Sequence, residues 1–292
     1  MLTRNSKAFP STAHVKVVDF GSVESLSAAV VGQDAVIDTT FSPDVETPLR
    51  LIDAAAENGV YRLSVSPPSN NKLFLTNPLC LRVCSITSDF GLDPDLPGVH
   101  DMPVFARKKA SYELVKNHAA KKNLTYTLVA CGAFLDWGIS SGFAGLDLDG
   151  KKAFVFGDGT NVVPWTTLED VGIATAHVLL HPQETLNRPV YVHSVFMSQN
   201  QLLGATKEIL GTEGWEITYH DMESLLGEAL ADLKAGNISA STFEVQIQYC
   251  LATRVLAHPW TKDDNSLLGL KEWDMEKVKR LIQTIAQGAV KG

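Results

Sequence analysis

The alternation of apolar and polar positions is clearest near the start of the chain. "HVKVVDF" (14–20) alternates and is β-branched, which predicts a strand. "SVESLSAAVVG" follows with helical spacing, Ser22 in the N-cap position and Gly32 closing the element. "DAVIDTT" (34–40) is a continuous apolar run bounded by polar residues, as in strands buried on both faces of a parallel sheet. "VETPLRLIDAAAENGV" (45–60) is an amphipathic helix ending at Gly59, and "YRL" should open the next strand. Strand, helix, strand, helix, strand with short links is the doubly wound α/β pattern.

The rhythm then breaks. "LSVSPPSNNKLFLTNPLCLRVCS" (63–85) holds three prolines, no acidic residue and no clear period, so it reads as an insertion. Its composition resembles translated non-coding sequence, a hypothesis that transcript sequencing tests. "ITSDFGLDPDLPGVHDMP" (86–103) is acidic and turn-rich. A helix pattern covers 104–123 and a strand pattern 124–134. Beyond residue 150 the units shorten. "KKAFVFGDGTNVVPWTT" suggests a hairpin turning at "GDGT". "TLEDVGIATAHVLLH" is a helix opened by Thr167, "RPVYVHSV" a strand, and helices are expected at 198–210, 219–234, 241–255 and 272–288. The organisation expected is a Rossmann-like parallel sheet domain over 1–150 and a smaller α/β lobe over 151–292.

Composition narrows the function. The 292 residues carry a net charge of −8, and the densest basic run, "ARKKA", is short. Phosphate backbones need clustered Lys and Arg, so nucleic acid is not an expected partner. No apolar run is long enough to span a bilayer, and no membrane partner is expected. Cys80, Cys84, Cys131 and Cys250 lack metal-ligand spacing, as do the histidines, so no metal is expected. A reduced cytoplasmic protein fits best.

Five segments carry a resemblance: "SVESLSAAVVGQDAVIDTT", "LIDAAAENGVYR", "SDFGLDPDLPGVHDMPVFARKKA", "LTYTLVACGAFLDWGI" and "VPWTTLEDVGIATAHVLLHPQETLNRPVYV". In this order and spacing they resemble the NmrA-like and isoflavone-reductase-like branch of the atypical short-chain dehydrogenases, fungal type. The resemblance implies an NADP(H)-binding Rossmann domain, a C-terminal substrate lobe, and reduction of a small carbonyl or aromatic substrate by a monomer or homodimer. NmrA-type members imply the alternative: a non-catalytic dinucleotide sensor that binds a protein partner. The chain departs from the family pattern in two places. No Gly-x-x-Gly-x-x-Gly turn precedes Gly21, so residues 1–5 read as the end of a second Rossmann strand with the first βα unit lacking. Residues 63–85 also intervene before "SDFG".

Within the resemblance, Arg4 and Lys7 are placed to meet a 2′-phosphate, Arg as a rigid bidentate fork and Lys as a point charge. Solvated residues near a terminus is the plainer reading of both. Asp19 and Phe20, and then Thr39, Thr40, Phe41 and Ser42, stand at strand ends where α/β sheets receive nucleotides. Asp19 as a cap ahead of Ser22 is the competing reading. The family's catalytic lysine follows a Phe at the start of the helix after "SDFG", which singles out Lys108 after Phe105 and leaves Lys109 open beside it. Such an amine can hold a ribose hydroxyl and relay a proton to a developing alkoxide. Tyr112 and Lys116 imitate the Tyr-x-x-x-Lys pair of standard short-chain dehydrogenases, but a Tyr near Val115 and Ala119 reads as core. Gly132 and Phe134 would face the nicotinamide ring, and Asp89, Phe90 and Trp137 the substrate. Core packing explains those aromatics nearly as well, and Asp136 orients substrate or caps the next segment.

Overall fold

A computed structural model describes residues 2–3, 14–39, 45–58 and 84–288. They fall into two compact units that interleave along the chain. The first comprises 1–88, 106–128 and 182–188; the second comprises 89–105, 129–181 and 189–292. Residues 129–150 thus lie with 151–181, and no division falls at residue 150. The physical reason is that the strands Cys84–Gly91 and Thr125–Ala130 each run on from the first unit into the second.

In the first unit, β1 (Leu2–Thr3) pairs in parallel with β2 (Lys16–Val17). Helix α1 (Val23–Val30) starts as expected, with the Ser22 hydroxyl accepting from the Ser25 N–H at 3.1 Å. β3 (Ala35–Ile37) leads to α2 (Glu46–Glu57), which Asn58 closes. β4 (Cys84–Gly91) pairs in parallel with β3, with Ile37 opposite Ile86. The expected turn-rich stretch from residue 86 is therefore strand as far as Gly91, because Ile86 is fully buried. Most of the 63–85 segment, and the strand expected at "YRL", lie outside the described residues. Helix α3 (Ala106–Ala120) and β5 (Thr125–Ala130) complete this unit's main elements.

One core holds these elements together. Leu26, Ala29 and Val30 of α1, Leu51, Ile52 and Ala54–Ala56 of α2, and Tyr112 and Val115 of α3 are buried together with Val18, Phe20 and Leu128. Burying each large apolar side chain in such a cluster contributes about 1.5–3 kcal/mol. Helices α2 and α3 are also tied by His118 Nε2, 2.8 Å from Asp53 Oδ1. β1 and β2 form one sheet and β3 belongs to another, of order β10-β5-β4-β3, where β10 is Arg188–Tyr191. Among the described residues no hydrogen-bonded strand joins the two.

The second unit is denser. After two short 3-10 turns (Val99–Asp101 and Pro103–Phe105) it contains β6 (Ala133–Phe134), α4 (Leu135–Ser141), β7 (Leu146–Asp147), β8 (Lys152–Phe156), β9 (Val162–Thr166) and α5 (Leu168–Leu180). Beyond β10 come β11 (Val195–Ser198), α6 (Gln199–Leu210), β12 (Glu216–His220), α7 (Met222–Ala235), α8 (Ala240–Ala252) and α9 (Met275–Ala286). The four C-terminal helices match their expected positions. The hairpin at "GDGT" does not form: β8 pairs with β12 and β7, whereas β9 pairs with β11 and β6. The Asp158 carboxylate accepts from both the N–H and the hydroxyl of Thr160, which closes a local turn without aligning the flanking strands. The "RPVYVHSV" strand likewise divides, because β10 and β11 lie in different sheets.

Candidate functional site

On the first unit the expected cofactor contacts stand at strand ends. Asp19 follows β2 by two residues and is exposed. Its carboxylate accepts from the Gly21 N–H at 2.8 Å, and its own N–H donates to the Ser25 hydroxyl at 3.0 Å. The capping role of Asp19 is thus realised, and it leaves the carboxylate fixed in an accessible turn. Phe20 turns inward, 7% exposed, into the unit's core. Thr39 follows β3 and is exposed, next to a buried Asp38 whose N–H bonds to the Ile86 carbonyl at 2.8 Å. Arg4, Lys7, Thr40, Phe41 and Ser42 lie outside the described residues.

Lys108 and Lys109 occupy the first turn of α3. Lys108 is half-buried and Lys109 exposed. Tyr112 is 6% exposed and packs edge-on against Tyr126 at 5.9 Å between ring centres. Lys116 Nζ sits 4.4 Å from the centre of the Tyr112 ring, so this i, i+4 pair shares a face in the role of core and cover.

The second unit brings the "SDFG" and "CGAF" strand ends together. The N–H groups of Cys131 and Gly132 both donate to the Gly91 carbonyl, at 2.9 and 2.8 Å. Gly132 has φ +66°, and a Cβ there would stand 2.0 Å from the Pro164 carbonyl oxygen. Close packing on β9 therefore requires glycine at this position. Phe90 and Phe134 are partly buried at these strand ends. Asp89 lies in β4, which positions its backbone. Trp137 packs against Phe143, with ring centres 5.3 Å apart, on the margin of the second core.

Asp136 binds protein. Its carboxylate accepts from the Leu168 N–H at 3.0 Å and so caps α5 from 32 residues away. Around that helix start lies a polar network of which the sequence disclosed only the Thr167 cap. The Thr167 hydroxyl accepts from the Asp170 N–H at 3.2 Å, and the Ser194 hydroxyl accepts from the Thr167 N–H at 3.0 Å while donating to the Asp170 carboxylate. Thr166 Oγ1 donates to the Cys131 carbonyl at 2.5 Å. These buried groups fix the "CGAF" strand end through hydrogen bonds that leave little polar capacity unmet. A second missed pair follows Gly91. The Tyr191 hydroxyl donates to Asp93 Oδ1 at 3.0 Å. Burial pushes the Asp93 carboxyl above its ordinary value, and burial beside that carboxylate pushes the Tyr191 phenol up as well. The one sequence signal for either set was the acidic first turn of "TLEDVG".

Among the described residues no group of His, Cys, Asp or Glu could hold a metal ion, and no helix is long and apolar enough to cross a membrane. The fold is similar to that of several solved reductases and of a nucleoside-diphosphate-sugar epimerase from Staphylococcus aureus. A solved isoflavone reductase superposes with a TM-score of 0.66 at 19% identity, covering 99% of this chain and 89% of that one. Leucoanthocyanidin reductase from Vitis vinifera, solved as a binary complex with NADPH, superposes with a TM-score of 0.69 at 14% identity, covering 96% and 90%. In sequence, the chain is 28% identical over 286 residues to the oxidoreductase poxI of Penicillium oxalicum, which covers 94% of this chain and 82% of poxI. No protein-family model matches the chain.

Proposed function

We propose that this protein is an NADPH-dependent oxidoreductase acting on a small carbonyl or aromatic substrate. The observation that carries the reading is end-to-end likeness, in fold to a reductase solved with NADPH and in sequence to an oxidoreductase. The residues present fit the cofactor in part. The accessible Asp19 carboxylate and Thr39 hydroxyl offer hydrogen bonds at the carboxyl ends of β2 and β3, the edge where doubly wound sheets receive dinucleotides. When bound, NADPH supplies a hydride.

The chain's own contribution is acid–base and positional. Lys108, half-buried while Lys109 is exposed, is the better placed of the two to work away from bulk water. Its ammonium would hold a ribose hydroxyl and donate a proton to the oxygen that becomes alkoxide or phenolate. The strand ends tied at Gly91 keep the aromatic groups of the second unit in fixed places, which lowers the entropic cost of orienting a ring.

Fluorescence titration of the full chain with NADPH and NADH tests the reading. Saturable binding of NADPH, tighter than that of NADH, is expected. Binding with no turnover of a panel of aromatic aldehydes, ketones and enones would favour the sensor alternative. Absence of binding to either nucleotide would overturn both.

A further inference from the structure

The second unit contains a segment of little regular structure, residues 258–274, that grips the end of β10 and the residues after it. The Tyr191 N–H donates to Asp264 Oδ2 at 3.0 Å, and the Asp264 N–H returns a bond to the Tyr191 carbonyl at 2.8 Å. Trp260 Nε1 donates to the Val192 carbonyl at 3.1 Å, and its ring lies 5.2 Å from that of Tyr191. The Asn265 amide reads both backbone groups of His193, accepting from its N–H at 3.1 Å and donating to its carbonyl at 2.9 Å. The Trp273 N–H then donates to the Ser194 carbonyl at 2.6 Å. The segment is a strap. It satisfies by side chains and isolated amides backbone groups beside the Val192 and Ser194 N–H groups, which donate to the Ala130 and Trp165 carbonyls of β5 and β9.

Beneath this strap lies a histidine whose ring makes no hydrogen bond. His193 is 2% exposed, and both ring nitrogens are buried without a partner. The ring stacks on Phe196 at 3.8 Å. The nearest carboxylate, Glu272 Oε1, stands 4.0 Å from Nε2 and is itself mostly exposed. Asp263 on the strap is the other charge it feels, and Asp170 lies behind neighbouring Ser194, already engaged by its hydroxyl. A second histidine meets the same strap. Gly269 has φ +76° and lies so close to His177 that a Cβ would come within 2.6 Å of its Cε1, and His177 Nδ1 is likewise buried without a partner.

A neutral imidazole on Phe196 is a tolerable apolar disc, whereas an imidazolium there must lose its hydration with no acceptor at hydrogen-bond distance, Glu272 Oε1 standing 4.0 Å away. We propose that residues 258–274 form an acid-sensitive strap, released from the Tyr191–Ser194 strand end when His193 takes up a proton. Release would free Tyr191 from Asp264 and loosen the Tyr191–Asp93 bond, so acid would reach the loop that follows Gly91. The sign follows from geometry and is supported by burial, which pushes the His193 pKa down in the closed form. The strap holds fully above the ordinary histidine pKa of about 6.5 and weakens as pH falls below it, levelling off beneath the depressed value of the closed form.

Hydrogen exchange of the full chain, read by mass spectrometry from about pH 7.5 to 5.5 with intrinsic rates corrected, tests this directly. Amides of 260–273 should lose protection on acidification, by up to about tenfold per pH unit, while α5 does not. His193→Gln should remove the pH dependence. Glu272→Gln alters a mostly exposed side chain and should fold normally. It takes away the carboxylate nearest the imidazolium, so the acid response should steepen. Strap protection that ignores pH in the wild type would overturn the proposal. So would an unchanged response in His193→Gln, or in Glu272→Gln if the first variant does not fold.

Discussion

Among the described residues, the two units of this chain differ in how their strands and helix starts are closed. In the second, strands, helix starts and strand ends are closed by specific side-chain bonds: Thr166 on the Cys131 carbonyl, Ser194 on Asp170, Asp136 on the start of α5. In the first, the core between α1, α2 and α3 is well buried, yet the described strands fall into two sheets, and Val17 and Ile37 are 61% and 40% exposed. A parallel sheet normally hides such residues on both faces. The difference assigns the parts separate duties: the second unit holds aromatic and polar groups in fixed positions, and the first offers accessible strand ends for a ligand to order.

That contrast can be broken or sharpened by substitution. The larger effect is expected in the second unit. Gly132→Ala places a methyl group 2.0 Å from the Pro164 carbonyl at a left-handed backbone position, so chemical denaturation should show a loss of about 1–3 kcal/mol or more. Indifference to this change would mean that the strand end is not rigid. The smaller effect belongs to the first unit. Val17→Ser alters a side chain that is 61% exposed and should change stability by no more than about 0.5 kcal/mol. A loss several times larger would show that this face is covered in solution, and the contrast would fail.

What the sequence disclosed follows the range of the interactions involved. Ser22 and Thr167 were legible as helix caps because each bonds within three residues of itself. The helices beyond 198 were legible from their spacing. "GDGT" misled because Asp158 and Thr160 satisfy one another locally, which composition cannot distinguish from a turn that also pairs its flanking strands. Asp136 was left open between orienting substrate and capping because its partner, Leu168, is 32 residues away. The strap was invisible for the same reason. Asn265 meets His193 across 72 residues, and nothing in "KDDNSLLGL" announces a sheet-edge cover. Of the candidate site, Lys108 and the "SDFG" and "CGAF" strand ends are expected because the resemblance carries them. The Ser194–Asp170 and Tyr191–Asp93 pairs, which exist only once the chain is folded, were not.

The central claim is that the amine of Lys108 serves the chemistry of a reductase. It is tested most directly by following NADPH absorbance with Lys108→Ala and Lys109→Ala beside the parent chain, on the same carbonyl panel. Loss of a positioned proton donor should lower kcat by roughly 10²–10⁴-fold in Lys108→Ala, with Lys109→Ala near the parent. Equal turnover by Lys108→Ala and the parent would contradict the assignment.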